Sequence, residues 1–319
     1  MKSEHRRAIL GLLAANFLWG LSFPLLKALA GAQTLLVPES GNWFVTAMSL
    51  APRFLLAAVI LLVVARRQLT GLTRDEWRQG GLLAVSCALG MLLQVDGLQH
   101  TSASVSAFLT QFYAILIPVF LALRYRRMPS WTLAVCVLLV VAGVAILGRF
   151  DFRTFSLGRG EWETLGSSVF FMWQILVLGD ARYAANRFLP VSTIMFGVIG
   201  MLFAGLALAT APHSAADCLV PLTSVSWLSF TLLLTGCSTL GAFLLMIKWQ
   251  PKITATEAGL IYCFEPVFAS LMALFLPALF SHWAGLDYAN ETLTWQLLVG
   301  GGLITLANVL LQNQTPAKA

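Results

Sequence analysis

Apolar residues in this chain gather into ten long runs, at about residues 8–30, 44–65, 79–99, 101–123, 130–148, 160–180, 190–211, 224–247, 254–277 and 294–312. Each run is close to the roughly 20 residues that an α-helix needs to cross the hydrocarbon core of a bilayer. The pattern predicts an all-α integral membrane protein with ten transmembrane helices, in two sets of five.

Composition sharpens this reading. The 319 residues are 58% hydrophobic and 11% charged, whereas ordinary soluble domains carry about 25% charged residues. A mean hydropathy of +0.81 leaves too little polar surface to cover a soluble body of this size. The net charge of +6 would suit nucleic acid, but the basic residues fall in short loops between the apolar runs. With the N-terminus inside, inside segments hold fifteen of the 20 Lys and Arg residues, Arg66, Arg67, Arg124, Arg126, Arg127 and Lys318 among them. Outside loops hold three, Arg149, Arg153 and Arg159, while Lys27 and Arg53 lie within runs. This is the bias of the positive-inside rule, and losing one helix would destroy the alternation. Both termini are therefore expected in the cytoplasm, with the chain multi-pass in a plasma membrane of the bacterial inner-membrane type and no nucleic acid among its partners.

The first run imitates a signal peptide, with Lys2, Arg6 and Arg7 before it and Ala28-Leu29-Ala30 near its end. However, Asn16, Pro24 and Lys27 interrupt the apolar part and its length is that of a span, so a retained first helix is expected. Cys87, Cys136, Cys237 and Cys263 lie within runs and Cys218 in a loop, without a C-x-x-C pair. Neither a disulfide framework nor a thiolate metal site is expected.

The two sets of five suggest an internal repeat. The fourth run reads AFLTQFYAILIPVFLAL and the ninth AGLIYCFEPVFASLMAL. Aligned on Phe112 and Phe264, they set Tyr113 opposite Glu265. An insertion, PALFSHWAGLDY, must follow the ninth run to keep PSWTLAV and LTWQLLV in register. Because five is odd, the second half enters the membrane inverted, an arrangement common in transporters, whose substrate site lies near the midplane between halves.

Several stretches resemble the EamA-type branch of the drug/metabolite transporter superfamily. NFLWGLSFPLLK resembles its first helix, RFLLAAVILL its second and GLQHTSASVSAFLTQFYAILIPVF its third-to-fourth junction. FEPVFASLMALF is similar to its ninth helix and LLVGGGLITLANVLL to its closing Gly-rich helix. The resemblance implies two inverted five-helix halves, residues 1–150 and 157–313, that export or import small metabolites. The long first outside loop, residues 31–43, and the insertion around 277–292 depart from the pattern and bear on the outer vestibule.

Polar groups in hydrocarbon are costly, a charge at the helix centre by about 2.5–3.5 kcal/mol, and usually face a bundle interior or a wet cavity. Arg53 sits too deep for easy snorkelling; its expected partner is Glu265, with a substrate carboxylate or phosphate as the alternative. Tyr113, Thr110, Tyr262, Trp19, Trp173 and Gln174 are the further candidates for a pocket, each equally explicable as packing. Gly20, Ser22 and Pro24 give the first helix the look of a broken, cavity-lining element. Lys27 is expected to snorkel to the headgroups. Thr254 and Glu257 form a capping-box pattern, Glu161 and Glu163 suit a helix N-terminus, and His100, His213 and His282 lack metal spacing. No catalytic residue, metal or cofactor is expected.

The expected function is a secondary transporter of small organic metabolites, amino acids or related compounds among them. Its partners would be the solute, the lipid bilayer and protons as a coupling ion. No P-loop motif supports ATP-driven transport, and no H-E-x-x-H or G-x-S-x-G motif supports the alternative of an intramembrane enzyme. A membrane receptor or scaffold is the other alternative, though it would not need buried charges in both halves. From a background without native cysteines, Asp217→Cys and Asn290→Cys should react with an impermeant thiol reagent in intact cells, and Arg126→Cys should not. Labelling at position 126 would contradict the predicted orientation.

Overall fold

The computed structural model describes residues 2–126, 131–147 and 157–312. Arg127, Arg149, Arg153, Lys318, the first two residues of PSWTLAV and the expected boundary between the halves lie outside the described residues. All regular structure among the described residues is helical. In chain order the α-helices are α1 (Lys2–Leu36), α2 (Asn42–Val64), α3 (Arg74–Leu98), α4 (Ala103–Thr110), α5 (Tyr113–Arg124), α6 (Trp131–Leu147) and α7 (Arg159–Leu178). They continue with α8 (Phe188–Thr210), α9 (Val225–Leu233), α10 (Phe243–Trp249), α11 (Ala255–Tyr262), α12 (Glu265–Ala273), α13 (Leu276–Ala284) and α14 (Trp295–Gln312). A π-helical stretch, Leu234–Ala242, joins α9 to α10 without a break in direction between separate spans.

Helix occupies each of the ten apolar runs, but six stretches have both the length and the apolarity of a membrane span. They are Glu4–Leu36, Asn42–Val64, Arg74–Leu98, Ala103–Arg124, Phe188–Thr210 and Val225–Lys252. A seventh is reached if α12 and α13, bent by 54° at their junction, count as one. The others fall short for visible reasons. α6 has 17 residues, α7 opens on Arg159, Glu161 and Glu163, and α11 has only 8 residues before its break. The protein is thus an α-helical, multi-pass membrane protein.

Sequence sets the helix ends. Thr73 and Glu76 form a capping box that starts α3, the Glu76 amide donating to Thr73 Oγ1 at 3.1 Å and the Thr73 amide to Glu76 Oε2 at 2.9 Å. The same Glu76 accepts from Arg187 Nε at 2.7 Å and so ties α3 to the start of α8. Thr254 and Glu257 cap α11 as their spacing predicts. Gly285, with φ of 66°, ends α13 in the left-handed region that glycine enters at no steric cost.

Inside the bundle α2 packs along α8, α3 along α7 and α8, and α6 along α14. α1 is held by α12, the π stretch and α10, while α4 and α5 lie against α7. Glycine permits the tightest crossing. A Cβ on Gly97 would stand 2.8 Å from the Gly160 carbonyl oxygen, and one on Gly160 would stand 2.6 Å from that of Gly97. Backbones approach this closely only where no side chain intervenes.

That crossing generates a stability prediction. Gly160→Val forces α3 and α7 apart and should cost about 1–3 kcal/mol, the usual range for overpacking. Gly197 has nothing within 4 Å of its Cβ position, so Gly197→Val should leave the thermal midpoint of the purified protein nearly unchanged. Equal midpoints for the two variants would contradict the packing account.

Candidate functional site

Two interrupted helices organise the centre of the molecule. α4 ends at Thr110 and α5 begins at Tyr113, while α11 ends at Tyr262 and α12 begins at Glu265. The interruptions fall at Gln111–Phe112 and Cys263–Phe264, so both second segments begin at the residues that the repeat alignment sets opposite each other. The first turn is tightened, the Phe112 amide donating to the Leu109 carbonyl at 3.1 Å and the Ala114 amide to the Gln111 carbonyl at 2.9 Å. In the second, Pro266 has no N–H and leaves the Tyr262 carbonyl without its helical donor. The adjacent Ile261 carbonyl is met from α1, where Asn16 Nδ2 donates to it at 2.6 Å. This explains a buried asparagine in the first apolar run.

Between the breaks lies a cavity of ≈ 60 Å³. Trp19, Ser22 and Phe23 of α1 line it together with Tyr113, Thr110, Tyr262 and Glu265. Gln94 of α3, Gln174 of α7 and Ser238 of the π stretch complete its polar part. The walls are largely aromatic. Trp19 meets Tyr262 and Phe243 edge-on at 5.6 and 5.3 Å, and Tyr113 meets Tyr262 at 6.4 Å. Thr110 Oγ1 donates to the Ser106 carbonyl at 2.8 Å and accepts from Gln94 Nε2 at 3.0 Å. Glu265 is 6% exposed. No described Lys, Arg or His pairs with it.

The sequence reading of the first helix needs correction. α1 runs unbroken from Lys2 to Leu36 with Pro24 inside it; it lines the cavity but is not the interrupted element. Arg53 does not reach Glu265. Its Nη2 donates to Met91 Sδ at 3.5 Å, and its guanidinium lies 5.0 Å from the Phe54 ring centre. Trp173 lies outside the cavity, 46% exposed and edge-on to Phe120 at 6.1 Å; its neighbour Gln174 takes the inward face of α7. Met91, Gln94, Phe171, Ser238, Phe243 and Met246 also line the cavity. Sequence gave no signal for the Met and Phe residues, which any apolar span contains, and only a mid-span polarity for Gln94 and Ser238.

The two ends of the cavity differ. Toward the N-terminal end of α1, Tyr262 Oη donates to Gln250 Oε1 at 2.8 Å and Gln250 Nε2 to the Ile175 carbonyl at 2.9 Å, a buried bridge from α11 through the turn after α10 to α7. Toward the other end a wider cavity of ≈ 580 Å³ opens, lined by Lys27, Asn42, Gln99, His100, Asp287 and Tyr288. The Lys27 amine reaches the connection between α3 and α4 and has a protein partner there. Its Nζ donates to the Thr101 carbonyl at 2.5 Å, and Thr101 Oγ1 donates to Glu161 at 2.7 Å. Arg159 pairs with Asp96 and with Glu163 beside them, so charges placed at span ends by sequence stitch α1, α3 and α7 together.

Residues 6–149 match the model of the EamA-like transporter family. A Bacillus subtilis (strain 168) protein named as an uncharacterized transporter is 27% identical over 212 residues, 65% of each chain. A solved crystal structure superposes with a TM-score of 0.58 at 15% identity, covering 95% of this chain and 99% of the other, and shares its fold. Over residues 6–149, somewhat less than half of its length, the chain is similar to the EamA-like transporter family.

Proposed function

We propose that the protein is a secondary transporter that moves a small organic metabolite across the plasma membrane by alternating access. It would have ten transmembrane helices in two inverted halves, residues 1–150 and 157–313, with both termini cytoplasmic. The observation that carries this reading is the placement of Glu265 and Tyr113 at the two helix breaks, on one cavity. Interrupted helices at membrane depth occur where backbone lines a cavity, and midplane sites of this kind serve transport. The family match supports a membrane transporter in general.

The packing supports two related halves. Let α1, α2, α3, α4–α5 and α6 correspond to α7, α8, α9–α10, α11–α12 and α14. Then α2 on α8 and α6 on α14 are pairs of mates. The packing of α3 on α7 is mirrored by that of the π stretch and α10 on α1, and that of α4 and α5 on α7 by α11 and α12 on α1. Exchange of the halves about such an axis would let the buried Tyr262–Gln250–Ile175 bridge and the polar stitches at the opposite mouth open in turn. Amino acids and related compounds fit a cavity that combines one carboxyl group with aromatic walls, and Glu265 is the group placed to exchange a proton or meet a solute's ammonium.

Glu265→Gln should insert and purify with normal yield, yet fall to the level of empty vesicles in proteoliposome uptake or lose its pH response. A well-folded Glu265→Gln protein with unchanged transport and pH response would sink the assignment. The loop at the far end provides a control. The Ser214 and His213 amides donate to Asp217 Oδ2 at 3.0 and 2.8 Å and hold its carboxyl below the usual range. Its contribution to the turn is therefore present above the ordinary aspartate pKa and lost only as pH falls through the depressed value. Asp217→Ala and His213→Ala should leave transport nearly unchanged at neutral pH, and a folded variant without transport would place the loop in the cycle.

A further inference from the structure

Arg53 is the one fully buried cation among the described residues, 0% exposed. Its Nε and Nη1 have no hydrogen-bond acceptor, and Nη2 has only the thioether of Met91 at 3.5 Å. Thioether sulfur is a weak acceptor, and a guanidinium carries five donors that cannot be discharged by losing the proton. No described carboxylate pairs with it. Asp96, on the same helix as Met91, is engaged by Arg159, and Glu265 stands elsewhere on the cavity wall. Enclosing a charge this way is more costly than the thioether contact and the Phe54 ring face at 5.0 Å return, unless an anion joins it.

The surroundings show where an anion would come from. Met91 lines the central cavity, so the guanidinium sits one side chain behind the wall. The Phe54 ring beneath it meets Phe243, another lining residue, at 5.9 Å. Nε and Nη2 form one edge of the guanidinium, the edge that receives a carboxylate side-on. Of these two donors, Nε is free and Nη2 is occupied by Met91 alone. Methionine has three rotatable side-chain bonds and repacks readily, so a rotamer change there uncovers the whole edge to the cavity.

On the transporter reading above, we propose that Arg53 is the receptor for a carboxylate group on the transported solute, reached when the Met91 side chain moves aside. The solute is then a monocarboxylate or a zwitterion. A single guanidinium balances one negative charge. A phosphate dianion would leave net charge in the hydrocarbon, where no second described Lys or Arg is buried to meet it.

The test uses the full-length protein in detergent and follows its thermal midpoint against three probes that share one apolar body: 4-methylpentanoate, leucine and 3-methylbutylamine. The two carboxylates should raise the midpoint saturably. Arg53→Met should weaken their apparent affinity about 10- to 100-fold, the span expected for hydrogen bonds to a charged group, and Arg53→Lys should retain part of it. The response to the amine should not depend on Arg53. No carboxylate response in the wild type, or an unchanged response in a folded Arg53→Met protein, overturns the proposal. If Arg53→Met does not fold, Met91→Ala decides, because it keeps the guanidinium and should tighten carboxylate binding; unchanged affinity there overturns the proposal. Binding is read without a gradient, so carboxylate binding through Arg53 with no counterflow of leucine or 4-methylpentanoate in proteoliposomes would count against the transporter reading and not against the receptor.

Discussion

Every backbone amide and carbonyl in hydrocarbon must find a partner inside the protein, because lipid offers none. Two helices here are interrupted at depth, and the rest of the centre is arranged around that constraint. Asn16 donates to the Ile261 carbonyl beside the second break. At the first, the chain closes its own turn with short-range bonds at Gln111 and Phe112. Gly259 lets the two broken elements approach, since a Cβ there would meet Ile117 at 3.3 Å and the Ala114 backbone at 3.6 Å. The breaks create the space that holds Glu265, and a carboxyl group at that depth would have no place in an uninterrupted, fully packed span.

The ends of the bundle are held by bonds of different character. The bridge from Tyr262 through Gln250 to Ile175 is buried, so breaking it leaves polar groups unmatched until the helices move together. At the other mouth Arg159 is half exposed where it pairs with the buried Asp96 and with Glu163, so water reaches the guanidinium side of these pairs and weakens them. One end is therefore shut by a cooperative, dry contact and the other is stitched by exchangeable ones around a wide opening. Under the alternating-access proposal, that asymmetry would suit a protein at rest in one of two access states.

Much of this was legible in the chain itself. Helix occupies each of the ten apolar runs, six of its stretches with the length and apolarity of a span, and the alignment on Phe112 and Phe264 falls on two helix interruptions. Thr110, Tyr113, Tyr262, Glu265, Trp19 and Gln174 line one cavity. What sequence did not carry was rotation about the helix axes. Trp173 and Gln174 are neighbours and point to opposite environments, and composition does not say which faces inward. Depth along a span does not fix pairing either. Arg53 and Glu265 were matched by depth alone, whereas Met91 and Phe54 stand around the guanidinium in three dimensions. Lys27 was assigned to the headgroups because nothing in its own run revealed the Thr101 carbonyl within its reach.

Alternating access around the central cavity is the claim on which the account stands, and Ser238 is the residue best placed to report on it, since it lines the cavity from the π-helical stretch. The direct measurement is the reactivity of Ser238→Cys, in a background without the five native cysteines, toward an impermeant thiol reagent applied to right-side-out and then to inside-out vesicles. The account predicts modification from either side, slower from the side closed by Tyr262 and Gln250. Modification from one side only, under conditions in which the protein transports, would contradict it.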